Sequence, residues 1–508
     1  MPVYYDGKGE DLTNLSVPDL YLNVESPPEV NSSGVSTNRA GLVGIASWGP
    51  VNSPVPAGSW AAVKKMFGTV QNRTYDMATF AYICAQMGVQ HFRCVRVTDG
   101  TDVAASVVIQ TNCLTVTSKY TGSLANSDQV TISAGTAPSS YKVVISRPGL
   151  TPETFDNITG TGNALWVAIA AAINAGQSSI RGASALVVAT AGAGTTAPTS
   201  ASYSLAGGTD GTTGITKAKF VGEDTAGART GMYALRGTDV ALFSLCDVTD
   251  ADTRAVQLAF AKSEQCEAVC ASAAGDTISA FATAQVLDDA WIKVILGDWA
   301  YWYDPVNDIT RLVSPQAFYL GEKIAVGVQN SVLNKDLSAI VVGTQSSYAN
   351  TVYSDDELEA IAAARGDVIC KPCPGGDYFG FRFGRNASSS QVKHQDSYTT
   401  LTNYLAKALK TKCGKYVGKM ITPTERAECK TEIEYLLDGF WQNGLIGYSD
   451  DITTQPYSVE ITAGAAGSGI QQAAVKVRYF DVDEYFIVNL TAGASVTIAS
   501  ANSTTTSV

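Results

Sequence analysis

The residues that most often carry out catalysis are few and far apart in this chain. Its only histidines are His91 and His394, and a Ser-His-Asp or Cys-His centre would need one of them. His91 begins an alternating segment beside Phe92, so we interpret it as a packing or capping residue. The sequence contains neither HExxH nor GxSxG. We therefore expect no catalytic centre.

The glycine-rich segments do not form a nucleotide-binding fingerprint. GTGNA at 160–164 and GAGTTA at 192–197 lack the full GxGxxG spacing after a strand, and GxxxxGK[ST] does not occur. GLVGIASWGP at 41–50 also lacks the third glycine. We interpret it as a core strand in which Gly44 and Ala46 let a helix lie close, followed by a turn. We therefore expect no bound cofactor.

The ten cysteines leave two alternatives open. Free, mostly buried thiols are the default in a reducing cytoplasm. Disulfides, within one chain or between chains, are the alternative, because oxidising surroundings outside a cell would favour them. The cysteines considered for pairing are Cys370, Cys373, Cys413 and Cys429. Structural zinc usually needs a second close pair or histidines beside a CxxC, so we expect no metal.

Composition and charge exclude several broad classes. The 508-residue chain has a net charge of −12, whereas a dominant nucleic-acid or anionic-membrane surface needs clustered Lys and Arg. No stretch approaches the roughly 20 apolar residues of a membrane-spanning helix. The N-terminal MPVYYDGKGEDL has no apolar core, so it does not resemble a signal peptide. We expect assembly in a cytoplasm, no nucleic-acid contact and no membrane insertion.

One basic segment stands out against the acidic background. KHQDSYTTLTNYLAKALKTKCGKYVGK at 393–419 has Asp396 as its only acid, and its apolar residues recur at helical spacing. Its lysines are Lys393, Lys407, Lys410, Lys412, Lys415 and Lys419. One interpretation is an ordinary solvated helix. The other is an electrostatic docking surface for an acidic protein partner.

The first two thirds of the chain predict an α/β core interrupted by an inserted domain. Residues 26–105 and 214–345 alternate apolar strands with helices, which is typical of a parallel sheet covered on both faces. Residues 106–213 contain few charged side chains, and short alternating strands surround one helix at 163–175. We interpret 106–213 as a β-rich domain inserted into the core.

The C-terminal third predicts helices that begin at clear capping signals. SDDE at 354–357 and TPTE at 422–425 resemble capping boxes, the second with Pro423 at the first helical position. AVKVRYFDVDEYFIVNL at 474–490 alternates like a strand. We assign 346–484 to a C-terminal domain. The fold class is therefore α/β and α+β multidomain, and the polar ends, 1–25 and 485–508, are candidate extended arms.

The order of these parts resembles the contractile tail sheath proteins of bacteriophages and related injection machines. NSSGVSTNRAGLVGIASWGPVNSPVPAGSWAAVKKMFG at 31–68 resembles the family's opening strand, GP-x-N-x-P turn and short helix ending in FG. HFRCVRV at 91–97 is similar to the next strand, and LAGGTDG at 205–211 to the turn where the inserted domain returns. PGGDYFGFRFGRNASSS at 374–390 resembles the stretch before the C-terminal helix but departs from the usual WG-x-RT.

The resemblance implies a structural subunit of a phage tail in the virion, not an enzyme. It implies a homo-oligomer of stacked hexameric rings around a tail tube protein, with baseplate and tail terminator proteins as further partners. Contraction would drive the tube through the host envelope. The arms would add strands to neighbouring subunits by β-augmentation. The arm residues chosen for this role are Val3, Tyr4, Tyr5, Val496 and Ile498.

The resemblance also implies an orientation for each domain. The C-terminal domain, 346–484, would face the tube and supply the arm-binding sheet, while the inserted domain would project outward. The residues chosen for tube contact are Lys407, Lys410, Lys412 and Lys415. The alternative function is a cytoplasmic α/β enzyme that uses the sheet at 239–305. A surface-layer or adhesin protein, the third class, would need an export signal.

Overall fold

A computed structural model describes residues 37–179, 181–465 and 468–486. The arm residues Val3, Tyr4, Tyr5, Val496 and Ile498 lie outside the described residues. The strands are β1 (Arg39–Gly44), β2 (Val55–Ala57), β3 (His91–Arg96), β4 (Ser106–Ile109), β5 (Leu114–Ser118), β6 (Gln129–Ala134), β7 (Tyr141–Ser146), β8 (Glu153–Ile158), β9 (Val187–Ala191), β10 (Ala201–Ser204), β11 (Leu242–Leu245), β12 (Glu267–Ala271), β13 (Ile292–Ile295), β14 (Ala300–Asp304), β15 (Ile309–Val313), β16 (Val341–Thr344), β17 (Ile369–Cys370), β18 (Gly380–Phe381), β19 (Tyr457–Ala463) and β20 (Gln471–Val477). The helices are α1 (Trp60–Phe67), α2 (Met77–Gln86), α3 (Asn163–Ala175), α4 (Lys217–Val221), α5 (Arg254–Glu264), α6 (Ile278–Ala284), α7 (Pro315–Val326), α8 (Gln345–Tyr348), α9 (Asp355–Ala363), α10 (Asp396–Cys413) and α11 (Pro423–Gln442).

A six-stranded sheet with the order β13-β12-β11-β1-β3-β2 forms the centre of the fold. Every neighbouring pair is parallel except β2 with β3. Helices α2 and α7 pack on one face and α5 and α6 on the other. Because both faces are covered, β11, β12 and β13 are buried at every position. The predicted parallel pairing of these strands is confirmed.

Gly44, at the end of β1, lies where the start of α2 crosses the strand. A Cβ added to Gly44 would lie 2.8 Å from the Met77 Cβ and 2.9 Å from the Tyr75 carbonyl oxygen. The side chain of Asp76 caps α2 by accepting a hydrogen bond from the Thr79 N–H. Glycine is therefore needed for close packing, and the predicted role of Gly44 is confirmed.

Residues from β4 to β10, together with α3, pack around a hydrophobic cluster of their own. They form the antiparallel sheets β4-β5-β9 and β10-β6-β7-β8. Buried Arg96, at the end of β3, donates to the backbone oxygens of Gly49 (2.9 Å), Thr121 (2.6 Å) and Asp210 (3.2 Å). Burial lowers the pKa of Arg96 to about 10. The Trp48 indole nitrogen donates to the Ser118 hydroxyl at 2.9 Å. These contacts fix this region against the core.

The helices of the C-terminal third begin where the capping signals place them. Ser354 accepts from the Glu357 N–H and completes a capping box, and Thr422 accepts from the Glu425 N–H before Pro423. Both predicted helix starts are confirmed. The predicted strand at 474–490 is wrong in its extent, because β20 begins earlier and ends at Val477.

Contacts with a preceding loop explain why the strand stops at Val477. The Gly447 N–H donates to the Arg478 carbonyl oxygen at 3.1 Å. The Asp481 N–H donates to the Ser449 hydroxyl at 2.9 Å. The Phe480 ring packs so closely over Gly447 that an added Cβ would lie 2.1 Å from the ring. These tertiary contacts replace strand pairing after Val477.

Candidate functional site

The hairpin formed by β19 and β20 is a two-stranded antiparallel sheet of seven residue pairs, Tyr457 opposite Val477 through Ala463 opposite Gln471. Its inner face, which includes Val459 and Val475, packs on α10 and α11. Within the part of the chain that the structure describes, neither strand pairs with any third strand. Both outer edges of the hairpin therefore present unpaired backbone groups.

The register identifies which backbone groups point outward. Hydrogen bonds from the Gly464 N–H to the Ile470 oxygen (2.9 Å) and from the Arg478 N–H to the Pro456 oxygen (2.8 Å) mark bonded pairs at both ends of the ladder. Bonded and non-bonded pairs alternate along an antiparallel ladder. The residues of β20 that direct their N–H and C=O groups outward are therefore Gln471, Ala473, Val475 and Val477.

The structure places the predicted tube-contact lysines in different environments. Lys407 lies on α10 and is only 12% exposed at its side chain, where it pairs with Asp239 at 2.9 Å. It also donates to the Val240 carbonyl oxygen at 2.8 Å. Lys407 is thus held between α10 and the core, and its assignment to an exposed docking surface is wrong. The partner lies far away in sequence, so helical spacing alone does not reveal the pairing.

The other predicted lysines surround an exposed apolar loop between α10 and α11. Lys410 and Lys412 lie in the last turn of α10, and Lys415 pairs with Glu432 on α11. In the loop, Val417 and Met420 are 87% and 83% exposed. We call the set Lys410, Lys412, Lys415, Val417, Lys419, Met420 and Ile421 the α10–α11 tip. Cations at a helix C-terminus also favour the helix itself.

Buried charges join the core to the C-terminal third. Lys293 on β13 pairs with Asp367 at 2.5 Å, and neither side chain has any exposed surface. Lys323 on α7 lies 3.9 Å from Asp396 at the start of α10, and this pair is equally buried. Burial raises the pKa of nearby Glu267 to about 8, and the Tyr319 hydroxyl donates to it at 3.1 Å. The orientation of α10 therefore depends on interior contacts with the core.

The cysteines considered for pairing are free thiols in the structure, as are the other six. The Cys373 thiol donates to the Cys370 carbonyl oxygen at 3.5 Å. Cys413 on α10 and Cys429 on α11 pack in the same hydrophobic cluster. Disulfide formation by any of these four cysteines stays a prediction. In the described ranges, no cluster of three or more His, Cys, Asp or Glu side chains is arranged to hold a metal ion.

Side chains fill the place where an open α/β sheet usually binds a ligand. That place lies at the carboxyl ends of the neighbouring strands β1 and β11. From β1 the sheet continues to β3 on one side, and from β11 it continues to β12 on the other. The Asp247 carboxyl group follows β11 there and accepts from the Tyr75 N–H at 2.8 Å. Burial raises the pKa of Asp247 to about 6. Asp76 and Met77 occupy the adjoining position above Gly44.

The two histidines lie on separate elements. His91 is exposed at the start of β3, where it pairs with Arg39 in the sheet. His394 precedes α10 and contacts Glu484, which sequence spacing does not predict.

Among the described residues, no helix is long and apolar enough to cross a membrane.

Comparison with solved structures identifies the fold. The sheath tail protein of Desulfitobacterium hafniense matches with a TM-score of 0.56 and 15% identity, over 90% of this chain and 100% of that chain. The sheath tail protein of Listeria innocua matches with a TM-score of 0.61 and 12% identity, over 87% of this chain and 95% of that chain. The helical sheath of the anti-feeding prophage in its contracted state matches with a TM-score of 0.52 and 13% identity, over 94% and 100%.

The chain therefore has the fold of a contractile tail sheath protein, a mixed α/β architecture with several sheets. No protein-family model and no curated protein matches the sequence. At 12–15% identity, the likeness shows the fold.

Proposed function

We propose that this chain is the structural subunit of a contractile tail sheath. It polymerises as stacked hexameric rings around a tail tube and contracts to drive the tube through a host envelope. Baseplate and tail terminator proteins cap the two ends of the polymer. The domains are 26–105 with 214–345, 106–213 and 346–484, and the inserted domain projects outward. The observation that carries the proposal is the sheath fold combined with a hairpin whose edges are open.

The open hairpin supports strand addition by the arms of neighbouring subunits. β20 directs four outward N–H groups and four carbonyls along one edge, at alternate residues from 471 to 477. Each main-chain hydrogen bond contributes roughly 0.5–1.5 kcal/mol net. An arm strand that pairs along this edge therefore joins two subunits by several kcal/mol without a large apolar interface. Arms 1–25 and 485–508 are the proposed donors.

A proline substitution tests strand addition without breaking the hairpin. Ala473→Pro removes an outward N–H, and Ala473 is exposed, so the hairpin ladder keeps its bonds. Ala474→Pro removes an inward N–H instead and is expected to unfold the hairpin. Ala473→Ser keeps the outward N–H and is the matched control. Polymer formation is measured by sedimentation, and folding by circular dichroism.

We expect Ala473→Pro to give a folded chain that does not sediment as polymer, while Ala473→Ser polymerises like wild type. Deletion of residues 1–18 or 491–508 is expected to have the same effect as Ala473→Pro. Polymers of normal length from Ala473→Pro would exclude strand addition at the β20 edge. Contractile polymers from both truncated chains would overturn the arm mechanism as a whole.

The α10–α11 tip is the proposed contact with the tube. It combines lysines with exposed apolar side chains, which suits an acidic protein surface with apolar patches. The double substitution Lys410→Glu with Lys412→Glu is expected to weaken binding to assembled tube protein, more so at low salt. The double substitution Lys119→Glu with Lys142→Glu, in the inserted domain, is the charge-matched control. Equal tube binding by both variants would exclude this contact.

A further inference from the structure

The chain segment that leaves β20 is held against the body of the protein. Its first residues bond to the loop before β19, as the Arg478 and Asp481 contacts show. The Tyr479 hydroxyl lies 3.1 Å from the Thr402 hydroxyl on α10, and its ring packs on Tyr398 at 5.8 Å. The segment therefore follows a defined path from the hairpin along α10 toward Glu484.

Glu484 is the last strongly held residue on this path. One carboxylate oxygen lies 2.6 Å from the His394 Nε2 and 3.4 Å from the Gln395 Nε2. The other lies 3.7 Å from an Arg385 nitrogen. The Gln395 side chain also reaches the Val482 carbonyl oxygen at 3.5 Å. Two residues later the described chain ends, with Tyr485 and Phe486 at 77% and 84% exposure.

The socket that receives Glu484 is held together by contacts among residues 385–395 that do not involve the 478–486 segment. Fully buried Asn386 donates from its side chain to the Lys393 oxygen (2.6 Å) and the Gln395 oxygen (3.0 Å). The Asn386 N–H donates to the His394 carbonyl oxygen at 2.7 Å. Arg385 and Gln395 face each other as an isolated bridge. One asparagine thus fixes all three residues that hold Glu484.

Both ring nitrogens of His394 face oxygens that can only accept. Nε2 faces the Glu484 carboxylate, and Nδ1 lies 3.2 Å from the Ser390 carbonyl oxygen. A neutral imidazole has one N–H donor, whereas an imidazolium has two. An imidazolium therefore satisfies both contacts, whereas a neutral ring donates to only one of the two oxygens.

The charged groups around the ring are of both signs. Arg385 is part of the socket and Glu484 binds in it, while Arg365 and Asp483 line the adjoining groove. Burial acts to raise the pKa of Glu484, but His394 and Arg385 together hold it below its ordinary value. The carboxylate therefore stays charged at mildly acidic pH. Its attraction is lost only as the pH falls through that lowered pKa.

We propose that Glu484 is a positioning residue that anchors the root of the C-terminal arm in the socket of Arg385, His394 and Gln395. The proposal rests on the proposed function of 485–508 as an arm. The anchor sets the point and direction in which that arm leaves the subunit. An arm released at its root starts from a wider range of directions and pays more conformational entropy when it pairs with a neighbour.

Chymotrypsin cleavage after Tyr485 or Phe486 in the full unassembled chain measures the anchor. The rate is divided by that of a free peptide spanning 478–490 with the same substitution, which removes the sequence preference of the protease itself. We expect wild type to be cleaved about tenfold more slowly than Glu484→Gln, the factor for about 1.4 kcal/mol of anchoring.

Two further variants separate the anchor from general effects. Asp483→Asn removes the same charge from the neighbouring exposed residue and is expected to behave like wild type. His394→Gln is expected to give an intermediate rate, because Arg385 and Gln395 still hold the Glu484 carboxylate. Equal cleavage of wild type and Glu484→Gln would overturn the anchor.

Electron microscopy of the same samples separates this proposal from the proposed function. Polymers from wild type with unaltered cleavage in Glu484→Gln would refute the anchor and leave the sheath function standing. A Glu484-dependent cleavage rate in a chain that never polymerises would establish the anchor and refute the sheath function. We expect wild type to polymerise and Glu484→Gln to need a higher protein concentration to do so.

Discussion

The buried pair of Lys293 and Asp367 permits a stability prediction that can be worked out from the contacts. The Asp367 carboxylate accepts from Lys293 at 2.5 Å and from the N–H groups of Val368 (2.8 Å), Phe383 (3.0 Å) and Gly384 (2.9 Å). The lysine nitrogen lies 4.6 Å from the Tyr319 ring centroid. The pair therefore joins β13 to the C-terminal third through a fully buried contact.

Removal of the Asp367 carboxylate alone should cost more than removal of both charges. Asp367→Asn leaves Lys293 buried without a carboxylate, which costs about 3–5 kcal/mol. Lys293→Met leaves Asp367 with its backbone donors, so we expect a smaller loss of about 1–3 kcal/mol. The double variant leaves no unpaired charge, and we expect it to be more stable than Asp367→Asn alone. The coupling free energy in the double-mutant cycle should be about 2–4 kcal/mol.

Pulsed cysteine alkylation in urea can follow this region separately from the rest of a multidomain chain. Cys270 on β12 and Cys370 just after Asp367 are buried reporters of the joined elements. Cys113 lies in the separate cluster of the 106–213 region and is the internal control. Asp367→Asn should lower the urea midpoint at Cys370 and Cys270 and leave that at Cys113 unchanged. Additive losses in the double variant would refute the reasoning.

Three further predictions concern packing, pH and the lysines of α10. Gly44→Ala should lower the free energy of unfolding by about 1–3 kcal/mol, because the added Cβ clashes with Met77. Gly58→Ala has no atom within 4 Å of the added Cβ and should leave the melting temperature unchanged in the same experiment. The pKa of Glu267 is raised by burial from 4.5 to about 8, so the folded state binds its proton more tightly and stability falls as the pH rises between these values. Glu267→Gln should flatten that slope in urea unfolding at pH 5 to 8 and gain up to roughly 3 kcal/mol at pH 7; an unchanged slope would contradict the assignment. Lys407→Gln should lower the urea midpoint by breaking the pair with Asp239, whereas exposed Lys410→Gln should leave it unchanged.

Features with local causes could be predicted from the sequence, and features with distant partners could not. The helix starts at Ser354 and Thr422 depend on residues three positions apart, so their pattern is visible in the chain. Lys407 has the helical spacing of a surface residue, yet its partner Asp239 comes from the core. The alternation at 474–490 indicates a strand, but contacts with Gly447 end it at Val477.

The buried and anchoring charges are the functional residues that sequence reasoning missed. Lys293 interrupts the apolar run WIKVIL, and a charge inside a buried strand is a signal for a buried partner. Its partner Asp367 cannot be chosen without the fold. His394 can be singled out in the sequence because it is one of two histidines. Glu484 lies in an acidic segment whose carboxylates the sequence does not distinguish as partners for His394. Three-dimensional contacts alone distinguish Glu484 from Asp481 and Asp483.

Negative-stain electron microscopy of the purified chain shows directly whether it polymerises as a sheath. We expect long, striated cylinders with six-fold symmetry and a central channel wide enough for a tube, and their absence in the Ala473→Pro variant. Dispersed globules from folded wild-type protein, at concentrations where the control Ala473→Ser behaves identically, would exclude the sheath function.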